Sequence, residues 1–143
     1  ERPAKASQVP GVPGAEAEAL RGLDLEVRLL LASAFGSGAR LSDGTCGALV
    51  GALLVLGLRE GFSSPRDVEG RRTLHGLAGR LSSAFAERHG SILCREVIGF
   101  DLGTEQGRAA AHQARARTLR CVEVVRTTAE LLDGLLTPPK GGH

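Results

Sequence analysis

The sequence predicts an all-α fold, a compact bundle of about five helices around a central, apolar, glycine-rich helix. Three observations carry that prediction. Apolar residues recur at steps of three and four, whereas the alternation of a half-buried strand is weak everywhere. Capping residues and glycines bracket these periodic stretches where helices should start and stop. The chain also holds only four Phe, with no Trp and no Tyr, so its core must be built from Ala, Leu and Val.

A chain of 143 residues suits one domain. Residues 1–13 contain Pro3, Pro10, Gly11 and Pro13 and read as a flexible arm. Residues 14–136 read as a single helical domain. Residues 137–143 hold Pro138, Pro139, Gly141 and Gly142 and read as a flexible tail.

The elements follow in order. A short helix is expected over Ala15–Arg21, ending at Gly22. Asp24 caps the next, which runs to Phe35 and stops at Gly36-Ser37-Gly38. The third is expected from Asp43, as cap, to Glu60. It is apolar on all sides between Cys46 and Leu58, which predicts a central, buried helix. Gly47 and Gly51 lie four apart on one of its faces. Glycine weakens a helix by about 1 kcal/mol relative to Ala, so the pair points to close approach of another backbone or a bound group.

Ser64, Pro65 and Asp67 together mark the start of the fourth helix. Leu74, Leu77, Leu81 and Phe85 form its stripe. Arg88 and His89 suit its C-terminal end, and Gly90 closes it. Ser91 then caps a short helix through Ile98. The last helix is expected from Glu105 to Leu136, with a stripe of Leu119, Val122, Val125, Ala129, Leu132 and Leu136.

Several function classes drop out. The longest apolar stretch, Cys46 to Leu58, is far shorter than the roughly 18–20 residues that span a bilayer. A net charge of +2 and the lack of an aromatic platform argue against nucleic acid. Arg108, Arg115, Arg117, Arg120 and Arg126 on the last helix read as a solvated face balanced by Glu105, Glu123 and Glu130. No nucleotide loop, HExxH or nucleophile elbow is present. Three Cys do not make a disulfide scaffold, which favours a reducing compartment, the cytoplasm. The sequence opens at Glu1 and contains no Met, so a processed or periplasmic form stays open.

The three cysteines carry the chemistry. Cys46 and Cys94 each follow a capping residue, Asp43 and Ser91, by three positions. A thiol in the first turn of a helix faces unpaired N–H groups and the positive end of the dipole, which favours thiolate. Cys121 lies mid-helix at the edge of the apolar stripe. The spacing matches no local CxxC signature, and inert core thiols are the plain alternative.

Thr45-Cys46-Gly47-Ala48-Leu49-Val50-Gly51-Ala52, followed by Leu56-Gly57-Leu58, resembles the GCAxxG core of the C_GCAxxG_C_C family. Ala34-Phe35-Gly36-Ser37-Gly38 resembles that family's glycine-rich approach. His89-Gly90-Ser91-Ile92-Leu93-Cys94-Arg95-Glu96-Val97-Ile98-Gly99, then Asp101, resembles its next block, and Cys121-Val122 its last Cys. The resemblance implies redox activity. It also implies a likeness to the C-terminal cysteine domain of split-Soret cytochromes, and so a [2Fe–2S]-like iron–sulfur cluster or another metal held by Cys46, Cys94 and Cys121. The family's first Cys, expected near Gly14–Ala17, is absent, and the family's Gly-Cys is here Thr45-Cys46. Such a cluster usually takes four protein ligands. His89, His75 or Asp101 are candidates for the fourth, as is a residue of a second chain.

The reading is therefore a redox or iron–sulfur protein acting in electron transfer or redox sensing. A non-catalytic accessory subunit that has lost the site is the first alternative, and a thiol–disulfide protein without any cofactor is the second. Substrate turnover is not expected. The apolar central helix also suggests a homodimer or a subunit of a redox complex.

Overall fold

The computed structural model describes residues 24–36, 38, 44–62 and 64–137. The N-terminal arm, the helix expected over Ala15–Arg21, the place of the absent first Cys, Ser37, the cap Asp43 and the tail beyond Thr137 lie outside the described residues. Six α-helices and one π-helical turn make up the described chain: α1 Leu25–Ser33, α2 Gly47–Glu60, α3 Val68–His89, α4 Cys94–Ile98, α5 Glu105–Gln113, the turn Arg117–Cys121, and α6 Val122–Leu136. Among these residues β-pairing is confined to isolated bridges. The all-α expectation holds.

Local chemistry explains the ends of these helices. Asp24 caps α1, its side chain accepting from the Glu26 N–H at 2.8 Å. Asp67, not Ser64, caps α3, accepting from Gly70 N–H at 2.8 Å. Ser64 instead accepts from Arg66 N–H and shapes the turn before it, so the helix starts three residues later than Pro65 suggested. Gly90 ends α3 in the left-handed region, φ 81°, where a side chain would be strained.

Helices α2, α3 and α6 pack against one another pairwise and enclose the core. Its fully buried side chains include Leu49 and Leu56 of α2, Leu81 and Phe85 of α3, and Val124 and Leu132 of α6. Each large apolar side chain so buried contributes roughly 1.5–3 kcal/mol. The α3 stripe is as expected, with Leu81 and Phe85 buried and Leu74 and Leu77 packed against them.

Three expectations are corrected. Helix α2 is central but not buried all round: Leu49, Ala52, Val55 and Leu56 face the core, whereas Leu54 and Leu58 are exposed. Its close partners, α3 and α6, cover one side only. The expected stripe of α6 is wrong in its first half, because Leu119, Val122 and Val125 are exposed. The buried face instead runs through Val124, Thr128 and Leu132. Threonines are admitted there because their hydroxyls donate to carbonyls of the same helix. Thr128 Oγ1 reaches Val124 O at 2.6 Å, and Thr127 Oγ1 reaches Glu123 O at 3.0 Å.

Finally, Glu105–Leu136 is not one helix. It breaks after Gln113, Arg115 takes a left-handed φ of 52°, and a π-helical turn follows. No Gly or Pro marks this break. Ala116, the residue after Arg115, is buried at 4% exposure. A left-handed residue costs on the order of 1–2 kcal/mol, and the burial of Ala111, Ala116 and Val124 on either side of the break offsets it.

Candidate functional site

The site starts from a short piece of antiparallel pairing. Thr45 and Leu93 form an isolated bridge. Cys46 N–H donates to Ile92 O at 2.7 Å, and Cys94 N–H donates to Gly44 O at 3.0 Å. Along an extended strand alternate residues share a face, so Cys46 and Cys94 fall on the same side of the bridge as diagonal neighbours. Immediately afterwards each segment becomes a helix: Cys46 is the N-cap of α2, and Cys94 is the first residue of α4. Both cysteines thus stand at helix starts, but not three residues beyond a cap. Ser91 still organises the α4 start, accepting from Leu93 N–H at 3.0 Å and bonding the Glu96 carboxylate.

Cys121 arrives from the other side. It is the last residue of the π-helical turn and the point where α6 begins. A π-turn carries one residue more than the α-helix would, and so resets the face that the next side chain presents. Arg120, beside Cys121, donates from Nε to Val97 O of α4 at 3.0 Å and ties the turn to the Cys94 segment.

The three thiols line one cavity of about 310 Å³, together with Phe35, Gly47, Gly51, Leu54 and Val124. Its walls are mainly apolar. Cys46 and Cys94 are buried and Cys121 is half-buried, and none of the three is in a disulfide. Gly47 permits the closest approach here: a Cβ on it would lie 2.2 Å from Phe35 O. Gly51 does not share that role. A Cβ there meets nothing within 4 Å, so this glycine widens the cavity.

Burial is the largest influence on the protonation of Cys46 and Cys121. Cys46 is pushed above its ordinary value of 9.0 by desolvation, which outweighs the opposing amides of Ala48 and Leu49 at the start of α2. Those amides approach the sulfur without closing a side-chain cap. The expectation that a helix start would favour thiolate is therefore overturned at Cys46: the loss of water is the larger effect. Cys121 is raised too, first by burial and then by the neighbouring Cys46, while Arg117 and Arg120 pull it down.

The candidate fourth ligands are elsewhere, none of them among the residues that line the cavity. His89 sits at the end of α3, its ring tilted on Phe85 with centroids 4.6 Å apart and Nε2 3.0 Å from Thr127 Oγ1. His75 is exposed on α3. Asp101 shapes the loop before α5, accepting from Gly103 N–H at 2.8 Å. Among the described residues, no three His, Cys, Asp or Glu side chains stand close enough to hold a metal ion. As they stand, the three thiols do not fit the ligand set of an iron–sulfur cluster. Among the same residues, no helix is long and apolar enough to cross a membrane.

Two features of the site escape sequence reasoning, the half-exposure of Cys121 and the docking of Arg120 on Val97. The first depends on the π-turn, which no residue type announces. The second depends on a contact between distant segments.

The fold and the cavity define an all-α protein with a three-cysteine site. The chain belongs to the C_GCAxxG_C_C family, described as "Putative redox-active protein (C_GCAxxG_C_C)", whose pattern matches residues 12–135. No curated protein and no solved structure matches it.

Proposed function

We propose that the protein is redox-active through the thiols of Cys46, Cys94 and Cys121, passing electrons or sensing redox state by their reversible oxidation. One observation carries the reading. Three cysteines from three separate segments line a single apolar cavity, an arrangement that filling a core with inert thiols does not require. Family membership supports the redox class.

Quantitative thiol titration of the full chain, purified without oxygen, tests it. We expect three free thiols in the reduced state, one after a mild oxidant, and three again after reduction. Three thiols in both states would overturn the reading.

A second reading rests on donor chemistry, since cysteine sulfurs are the donors that iron–sulfur clusters take. It requires the three sulfurs to draw closer than they stand, and a fourth ligand besides. Iron and acid-labile sulfide in the anaerobic protein, lost in Cys46→Ser, would favour it over thiol oxidation. Their absence would remove it.

A homodimer is also proposed. Leu29, Leu30, Leu54 and Leu58 expose apolar surface that a second copy would cover. Light scattering on the eluted full chain should give twice 14.9 kDa. A mass of one chain would exclude it.

A further inference from the structure

The three thiols of the cavity are not equivalent. Cys46 and Cys94 are 7% and 5% exposed, whereas Cys121 is half-buried at the edge of the same cavity. An incoming reagent therefore meets Cys121 first. Position separates the other two. Cys46 and Cys94 are diagonal across the Thr45–Leu93 bridge and anchored by two main-chain hydrogen bonds. In a regular ladder, diagonal neighbours stand roughly 7–8 Å apart, beyond the usual disulfide reach. Direct pairing between them would have to draw the two anchored segments closer than a regular ladder holds them. Cys121 is held by neither of these two bonds, and it lines the same cavity as Cys46, near enough for a charge on Cys46 to act on it.

We propose that Cys121 is the attacking thiol toward a small-molecule disulfide and that Cys46 is the resolving thiol. The proposal rests on the thiol-redox reading above and assigns order within it. In the first step the Cys121 thiolate attacks one sulfur of the small disulfide. A Cys121–small-thiol bond forms, the original S–S bond breaks, and one small thiolate leaves. In the second step the Cys46 thiolate attacks Cys121 Sγ, the mixed disulfide breaks, and the second small thiolate leaves. Two protein thiols are oxidised by two electrons, and the small disulfide is reduced to two thiols. The two protons lost by the protein go to the leaving thiolates.

Neighbouring groups fit these roles. Arg117 and Arg120 flank Cys121 and favour its anion, and the amides of Ala48 and Leu49 do the same for Cys46 when it ionises to attack. Because burial raises both thiols, the reaction should quicken as pH rises from 7 toward and beyond 9.

The test uses the reduced full-length protein and glutathione disulfide, with acid quenching and peptide mass mapping. Wild type should yield a Cys46–Cys121 disulfide with no lasting adduct. Cys46→Ser should trap a glutathione adduct on Cys121, and Cys121→Ser should lose thiols at least about tenfold more slowly. Cys94→Ser leaves both acting thiols in place and should still form the Cys46–Cys121 bond, which keeps the proposal testable if Cys46→Ser fails to fold. A Cys46–Cys94 or Cys94–Cys121 disulfide in wild type, or an adduct on Cys94 in Cys46→Ser, would overturn this order while leaving thiol redox standing. No oxidation of any wild-type thiol would overturn both.

Discussion

At the scale of single residues, space and solvation decide more than residue type does. Gly47 and Gly51 look alike in sequence, four apart on one helix face, and the structure separates them. Gly47→Ala drives a Cβ into the Phe35 carbonyl at 2.2 Å. It should cost about 1–3 kcal/mol in denaturant unfolding. Gly51→Ala meets open space and should be neutral or stabilise by up to about 1 kcal/mol. Equal effects would contradict the close approach at Gly47. His89 shows the same rule for charge. Burial, then Arg120 and Arg88, hold its pKa below the ordinary 6.5, against Glu123. The unfolded chain thus binds a proton at a pH where the folded chain does not. Stability from this group is present above the unfolded value and is lost as pH falls from about 6.5 through the lower folded value. The thermal midpoint of wild type should fall across that window, and His89→Gln should flatten the fall. An unchanged slope in the variant would rule His89 out as its source.

At the scale of elements, what was legible in the sequence was the start and stop chemistry. Asp24, Asp67 and Gly90 act as their residue types suggest, although Ser64 and Asp67 compete and only the contact with Gly70 N–H decides between them. Asp67→Ala should therefore lower stability by about 1 kcal/mol, and Ser64→Ala by clearly less. The reverse ranking would place the cap at Ser64. The break between α5 and α6 was not legible. Arg115 bears a positive φ with no glycine to announce it, and the π-turn that follows carries Cys121 to the cavity. Nor was the inner face of α6, because two apolar registers one residue apart compete in that segment. The register that wins buries threonines whose hydroxyls are satisfied within the helix. Hydropathy scores a threonine as polar and cannot see that satisfaction.

At the scale of the whole molecule, α2, α3 and α6 share one core, and the cysteine cavity opens where α2, α4 and the start of α6 meet. The scarcity of aromatic residues concentrates much of that core in Phe85, fully buried among leucines. Phe85→Ala should cost about 3–5 kcal/mol, a large part of the roughly 5–15 kcal/mol that a domain has. A thermal midpoint unchanged by that substitution would contradict the packing described. Family blocks around Cys46 and Cys94 were readable in the chain, and so was the expectation that three cysteines belong to one site. Their convergence on one cavity, and the placing of His89, His75 and Asp101 away from it, follow only from how distant segments pack. The central claim is that these three thiols form a working redox site. Its most direct test is the intact mass and disulfide map of the reduced full-length protein after glutathione disulfide. The expected result is loss of two hydrogens and a Cys46–Cys121 bond that reduction reverses, and three unreacted thiols would contradict a redox role for the site.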